Sequence, residues 1–84
     1  MQPVTIYTTP TCGYCRATKD FFTANSVPYQ EIDVSTDQEK AKEMIAKSGQ
    51  MGVPVIVVGE GDQEQIVVGF DQAKLTELLG LQAS

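Results

Sequence analysis

The chain has 84 residues, 42% of them hydrophobic and 20% charged, which suits one small globular domain and is too apolar for intrinsic disorder. Six Lys and Arg against eleven Asp and Glu leave a formal charge of −5, so the basic footprint that nucleic acids and anionic membranes require is missing. The longest apolar run, Val53 to Val58, is too short to span a bilayer, and Met1-Gln2-Pro3-Val4 lacks the basic-then-apolar pattern of a signal peptide. A cytoplasmic protein is expected.

Val4 to Thr8 is β-branched and aromatic, the composition of a strand. Thr9-Pro10-Thr11 is turn chemistry, with Thr11 placed to cap a helix over Cys12 to Ala24 whose apolar line is Ala17, Phe21 and Ala24. Val27 to Val34 alternates apolar and polar residues after its proline and reads as a second strand. Thr36 and Glu39 then form a capping box for a helix with Ala41, Met44, Ile45 and Ser48 on one face and Gly49 as its stop. Glu39/Lys42 and Glu43/Lys47 stand at helical pairing distances on its outer surface, as solubilising charges.

Val53 to Val58 is continuously apolar, as in a strand covered on both faces. Gly59 to Asp62 makes a turn into Gln65 to Val68, giving an antiparallel hairpin. Asp71 is placed to cap a last helix through Leu75, Leu78 and Leu79 that stops at Gly80, and residues 81–84 are expected to fray. The order is β-α-β-α-β-β-α: an α/β fold with a parallel, right-handed first βαβ unit and a four-stranded mixed sheet with helices on both faces. Pro54 opens the third strand, where base rates favour a trans bond, because only about 5–6% of X-Pro bonds in folded proteins are cis.

The chemistry of the chain lies in its two cysteines, Cys12 and Cys15; there is no histidine. A structural disulfide closing four residues is worth ~2 kcal/mol at best, and a reducing cytosol would keep it open. Zinc needs four ligands, and the pair supplies two unless a second subunit or exogenous thiols complete the set. A redox dithiol needs two sulfurs within bridging reach and a field that favours one thiolate, and Cys-x-x-Cys at a helix start meets both needs. Cys12 falls in the first turn, among N–H groups without intrahelical partners, where a thiolate is stabilised. Cys15 lies nearly one turn on along the same face and remains a thiol until needed. Tyr14 offers a ring and a hydroxyl to a substrate, or is simply an exposed aromatic; Arg16 and Lys19 add positive potential, or are solvated helix charges.

Three segments in order carry a family resemblance: Tyr7-Thr8-Thr9-Pro10-Thr11-Cys12-Gly13-Tyr14-Cys15, then Gly52-Val53-Pro54-Val55, then Gly69-Phe70-Asp71. Together they resemble the glutaredoxins, and more narrowly the short bacterial glutaredoxin-like redoxins. The resemblance implies the thioredoxin fold, disulfide reduction by Cys12 and Cys15, a cis Pro54 beside them, and a monomer without a tightly bound cofactor. It also implies a glutathione-binding set of Thr11, Tyr14, Val53, Pro54, Phe70 and Asp71. Disulfide-containing proteins would be the substrates, and glutathione or thioredoxin reductase the electron source. The family often has Lys three residues before the first cysteine, where Thr9 stands, and Arg or Gln beside the Val-Pro element, where Met51 precedes Gly52 with Gln50 adjacent; Val68 stands for the first glycine of a Gly-Gly pair. Each lost cation removes charge-assisted hydrogen bonds worth about 1.5–3 kcal/mol when buried. Small redoxins that take electrons from thioredoxin reductase and pass them to ribonucleotide reductase are also similar, over Cys15-Arg16-Ala17-Thr18-Lys19 and the Gly69-Phe70 pair. A [2Fe–2S] cluster shared between two subunits, using Cys12 and glutathione thiols, is the alternative that the family implies, and Gly13 leaves the cysteine loop's backbone amide available for it.

Overall fold

The structure, a computed structural model, describes residues 3–81. Along the chain run β1 (Val4–Thr8), α1 (Gly13–Ala24), β2 (Gln30–Asp33), α2 (Gln38–Ser48), β3 (Val55–Val58), a 3-10 turn at Gly61–Gln63, β4 (Gln65–Val68) and α3 (Gln72–Leu79). This is the expected element order, in a four-stranded mixed sheet of order β2-β1-β3-β4. β1 runs parallel to β2 with Tyr7 opposite Ile32, and antiparallel to β3 with Tyr7 opposite Val55. β4 returns antiparallel along β3, Val68 opposite Val55.

Side chains alternate across each strand, and the two faces bury different helices. Val4 and Ile6 of β1 join Ile56, Val58 and Val67 on one face, packed against Phe22 of α1 and Leu75 and Leu79 of α3. Tyr7 joins Val55 and Val57 on the other, packed against Met44 of α2. β3 is therefore covered on both sides, which is why every residue of Val55–Val58 is buried and why the sequence there never alternates.

The starts of the first two helices differ from expectation by one residue. The cap of α1 is Cys12 and not Thr11; the cap of α2 is Asp37, whose Oδ1 accepts from Lys40 N at 3.1 Å, and not Thr36. The Thr36 hydroxyl instead donates to the Asp33 carbonyl at 3.3 Å, a turn contact that leaves the cap to the stronger carboxylate acceptor. Asp71 caps α3 as expected, accepting from Lys74 N at 3.1 Å. Gly49 ends α2 at φ +75°, a left-handed conformation that favours a residue without Cβ.

Within α1 the buried line is Cys15, Thr18 and Phe22, not Ala17, Phe21 and Ala24. Thr18 is tolerated inside because its hydroxyl donates to the Tyr14 carbonyl at 2.8 Å. The expected pairs on α2 are also replaced: Lys40 bonds Glu43 at 3.2 Å, and Lys47 crosses to Glu64 just before β4 at 2.6 Å. Strands two and three are shorter than read, beginning at Gln30 and Val55. Of the four residues expected to fray, 82–84 lie outside the described residues.

Candidate active site

Cys12 sits where β1 has ended and α1 begins. The loop between them closes with Cys12 N donating to the Thr9 carbonyl at 3.3 Å, and the first helical turn closes with Arg16 N donating to the Cys12 carbonyl at 3.3 Å. Cys12 itself is extended (φ −90°, ψ 111°), the conformation of an N-cap, and its Sγ accepts the Cys15 N–H at 3.0 Å. The amides of Gly13 and Tyr14 start the helix without intrahelical acceptors. An anion on Cys12 Sγ thus meets a directed N–H donor and the positive end of the helix dipole, both of which favour the thiolate over the thiol.

Cys12 and Cys15 are joined as a disulfide, with Cα atoms 5.2 Å apart. Cys12 is half-buried, whereas Cys15 is only 1% exposed. Of the two sulfur positions, Cys12 is the one open to solvent.

The three sequence segments converge at this end of the sheet. The pairing of Tyr7 with Val55 places the carboxyl end of β1 beside the Val53-Pro54 segment, whose peptide bond is cis. The trans bond that base rates favour is thus corrected, and the cis bond that the resemblance implies is present. Gly69 N donates to the Pro54 carbonyl at 2.9 Å, which ties the start of β3 to the Gly69-Phe70-Asp71 turn. Phe70 then packs edge-on to Phe21 of α1, ring centroids 5.9 Å apart, fixing the start of α3 against the cysteine helix.

The candidate contact residues fall into distinct environments. Pro54 is buried, while Val53 is half-buried against the Tyr7, Met44, Val55 and Val57 cluster. Phe70 is half-buried, and Asp71 is exposed with one carboxylate oxygen engaged in its cap. Thr11 is exposed and does not cap the helix. Tyr14 is 70% exposed, and its backbone carbonyl receives the Thr18 hydroxyl.

Lys19 does not stand as a loose cation beside the sulfurs. Its Nζ bonds Glu31 Oε2 on β2 at 2.9 Å, and the same oxygen accepts the buried Thr8 hydroxyl at 2.8 Å. The Lys19 hydrogen bond first, then that of Thr8, holds the Glu31 carboxyl below the usual carboxylate range. This clasp joins α1 to β2 and to the end of β1, and sequence reasoning missed it; the only signal was Lys19 lying one turn beyond Cys15 on the same helix face. On the α2 side of the sheet, Tyr7, Lys40, Glu43, Lys47 and Glu64 border an open polar pocket of about 210 Å³. Burial and the nearby Glu43 push the Tyr7 hydroxyl up to about 12, so it stays protonated in neutral water.

Among the described residues no three Cys, His, Asp or Glu side chains converge as a metal site. Of the two cysteines Cys12 is the accessible one, so an iron–sulfur cluster there would draw its remaining thiolates from elsewhere.

The sequence model of the glutaredoxin family matches residues 4–62, most of the chain and both cysteines. This chain belongs to the glutaredoxin family. It is similar to an uncharacterised glutaredoxin-like 8.6 kDa protein of the rubredoxin operon of Clostridium pasteurianum, at 36% identity over 90% of this chain and 96% of that one. The fold matches the crystal structure of a variant of the thioredoxin-like protein BC3987 with a TM-score of 0.84 and 30% identity, covering 98% of this chain and all of that one. It also matches the glutaredoxin-like NrdH-redoxin of Escherichia coli, with a TM-score of 0.73, 26% identity and coverage of 98% and 97%. A glutaredoxin with a Cys-x-x-Cys pair in a thioredoxin-like fold is a thiol–disulfide oxidoreductase, and so is this protein. None of its described helices is long and apolar enough to cross a membrane.

Proposed function

We propose that the protein is a cytoplasmic dithiol electron carrier that reduces disulfides on other proteins, with Cys12 as nucleophile and Cys15 as resolving thiol. The observation that carries this reading is the hydrogen bond from Cys15 N–H to Cys12 Sγ at the cap of α1, with Cys15 itself buried. Cys12 thiolate attacks one sulfur of the substrate disulfide, forming a mixed disulfide and releasing the other sulfur as thiolate. Cys15 then gives its proton to the departing thiolate and attacks Cys12 Sγ, releasing the second substrate thiolate and leaving the Cys12–Cys15 disulfide. Two electrons have passed to the substrate, and a reductase must return two. Val53, Pro54, Phe70 and Asp71, with Tyr14 and Thr11 at the mouth, line the approach to Cys12.

Thr9 and Met51 stand where the family's usual polar partners would meet the glycyl carboxylate of glutathione, and their loss favours recharging by a dithiol flavoenzyme of the thioredoxin reductase class over glutathione. The NrdH-redoxin with the similar fold has a thioredoxin-like activity profile, in keeping with that route. The test supplies oxidised protein with NADPH and either thioredoxin reductase or glutathione with its reductase. The first mixture is expected to turn over; turnover in the second alone reverses the electron source, and turnover in neither removes the proposal. With Cys15→Ser, intact mass is expected to show a trapped mixed disulfide on Cys12.

A further inference from the structure

The exchange steps at Cys12 and Cys15 make no use of the Lys19–Glu31–Thr8 clasp, which lies beside the cysteine turn. Ile6 is opposite Glu31 in the β1–β2 ladder and packs toward α1, so the Glu31 side chain stands on the α1 face of the sheet. Thr8, two residues beyond Ile6, stands on that face too. Glu31 Oε2 there accepts the Thr8 hydroxyl at 2.8 Å and Lys19 Nζ at 2.9 Å. Thr8 is buried and ends the strand that leads into Cys12. Lys19 lies four residues beyond Cys15, one turn further along the same face of α1. One carboxylate oxygen thus ties the chain on both sides of the dithiol.

Charge gives the clasp a second role. Arg16 and Lys19 are the two cations of α1; Arg16 is exposed, whereas Lys19 is half-buried and drawn to β2. Bound to Glu31, the Lys19 cation presents the sulfurs with a neutral pair in place of a net charge. The other charged groups about the pair are Asp33 on β2, whose carboxylate accepts from Ser35, and Asp20 on α1, which is exposed; β1 brings no charged side chain. A freed cation one turn from Cys15 lowers the energy of a thiolate on the pair, and a freed carboxylate raises it.

We propose that Glu31 and Lys19 are positioning residues that set the thiol–disulfide balance of Cys12 and Cys15: Glu31 neutralises Lys19, so that the helix cap and not a neighbouring cation stabilises the Cys12 anion. This deepens the dithiol reading and rests on it.

The test equilibrates the protein with a reference thioredoxin at about pH 8 and reads both redox states by intact mass after acid quench and alkylation. In that exchange the two thioredoxin thiols close to a disulfide and pass two electrons to the Cys12–Cys15 disulfide; Cys15 takes one of their protons, Cys12 remains a thiolate and the other proton goes to the buffer. Glu31→Gln is expected to move the balance about threefold toward the Cys12–Cys15 dithiol, and Lys19→Met about threefold toward the disulfide. The double variant is expected to return to within about 1.5-fold of wild type. In a Cys15→Ser background, the inflection of Cys12 alkylation with pH is expected to fall with Glu31→Gln and rise with Lys19→Met. The pair is partly exposed, so the variants are expected to fold.

A clasp that only braces α1 is broken equally by either substitution. Shifts of the two single variants in the same direction, or no shift in either, therefore overturn the proposal. Lys40→Met removes a cation from α2 on the opposite face of the sheet, and a shift as large as that of Lys19→Met overturns it as well. A wild-type protein that exchanges no electrons with thioredoxin overturns the dithiol reading instead, so the two failures are distinguishable.

Discussion

The starts of α1 and α2 are built alike and differ in the group that accepts the cap hydrogen bond. In α2 the Asp37 carboxylate accepts the N–H of the third helical residue at 3.1 Å; in α1 the Cys12 sulfur accepts the equivalent N–H at 3.0 Å. Asp71 repeats the carboxylate version in α3. The fold thus places a side-chain acceptor at the N-cap of each helix, filled twice by an ordinary anion and once by a thiol. Where the acceptor is Asp, the slot adds stability. Where it is Cys, the same donor and dipole act on a titratable sulfur and favour its anion, which is the basis of the proposed reactivity.

This comparison breaks most visibly at Cys12. Cys12→Ser is expected to abolish disulfide reduction by several orders of magnitude while the protein still folds, because serine is a good N-cap and keeps the slot occupied. Coupled NADPH oxidation and thermal unfolding, run on the same sample, measure the two halves; a variant that unfolds would show the sulfur to be a structural necessity. At the α2 start the effects should invert. Asp37→Ala is expected to lower stability by about 1 kcal/mol in urea unfolding, without a change in turnover. A loss of activity there would mean that the two caps are not independent.

The smallest expected effect is at the clasp that holds α1 to the sheet. Hydrogen bonds from Lys19 and Thr8 hold the Glu31 carboxyl below its usual range, so it binds its proton less readily folded than unfolded. Its contribution is present above the unfolded carboxyl range and is lost as pH falls through the folded value. Glu31→Gln should therefore cost slightly at neutral pH, with the two stability curves converging in acid. The pair is partly exposed, so water and salt reduce the difference. Curves that stay parallel through the acid limb would remove Glu31 from the account.

The order of elements was legible because each signal was local. β-branched runs marked the first and third strands and alternation the second, Gly49 and Gly80 marked helix ends, and Asp71 marked a cap. The dithiol was legible for the same reason: spacing and position at a helix start are properties of a few adjacent residues. The misses needed neighbours that the sequence does not display. Thr11 and Thr36 are good caps in isolation, but Cys12 and Asp37 occupy the slots once the turns close. Thr18 is buried because its hydroxyl finds the Tyr14 carbonyl, which an apolar pattern cannot register. Lys47 bonds Glu64 across the fold in place of its helix neighbour. Pro54 showed the limit most plainly: its residue type favours trans, and the family resemblance rather than any local signal pointed to the cis bond that is present.

The most direct measurement is the rate of Cys12 alkylation as a function of pH in reduced Cys15→Ser protein, where one thiol remains. An inflection well below the value of about 8.5 for a free thiol is the result predicted for a sulfur held in the N-cap slot. An inflection at or above that value would contradict the account, because the cap would then confer no advantage on the anion.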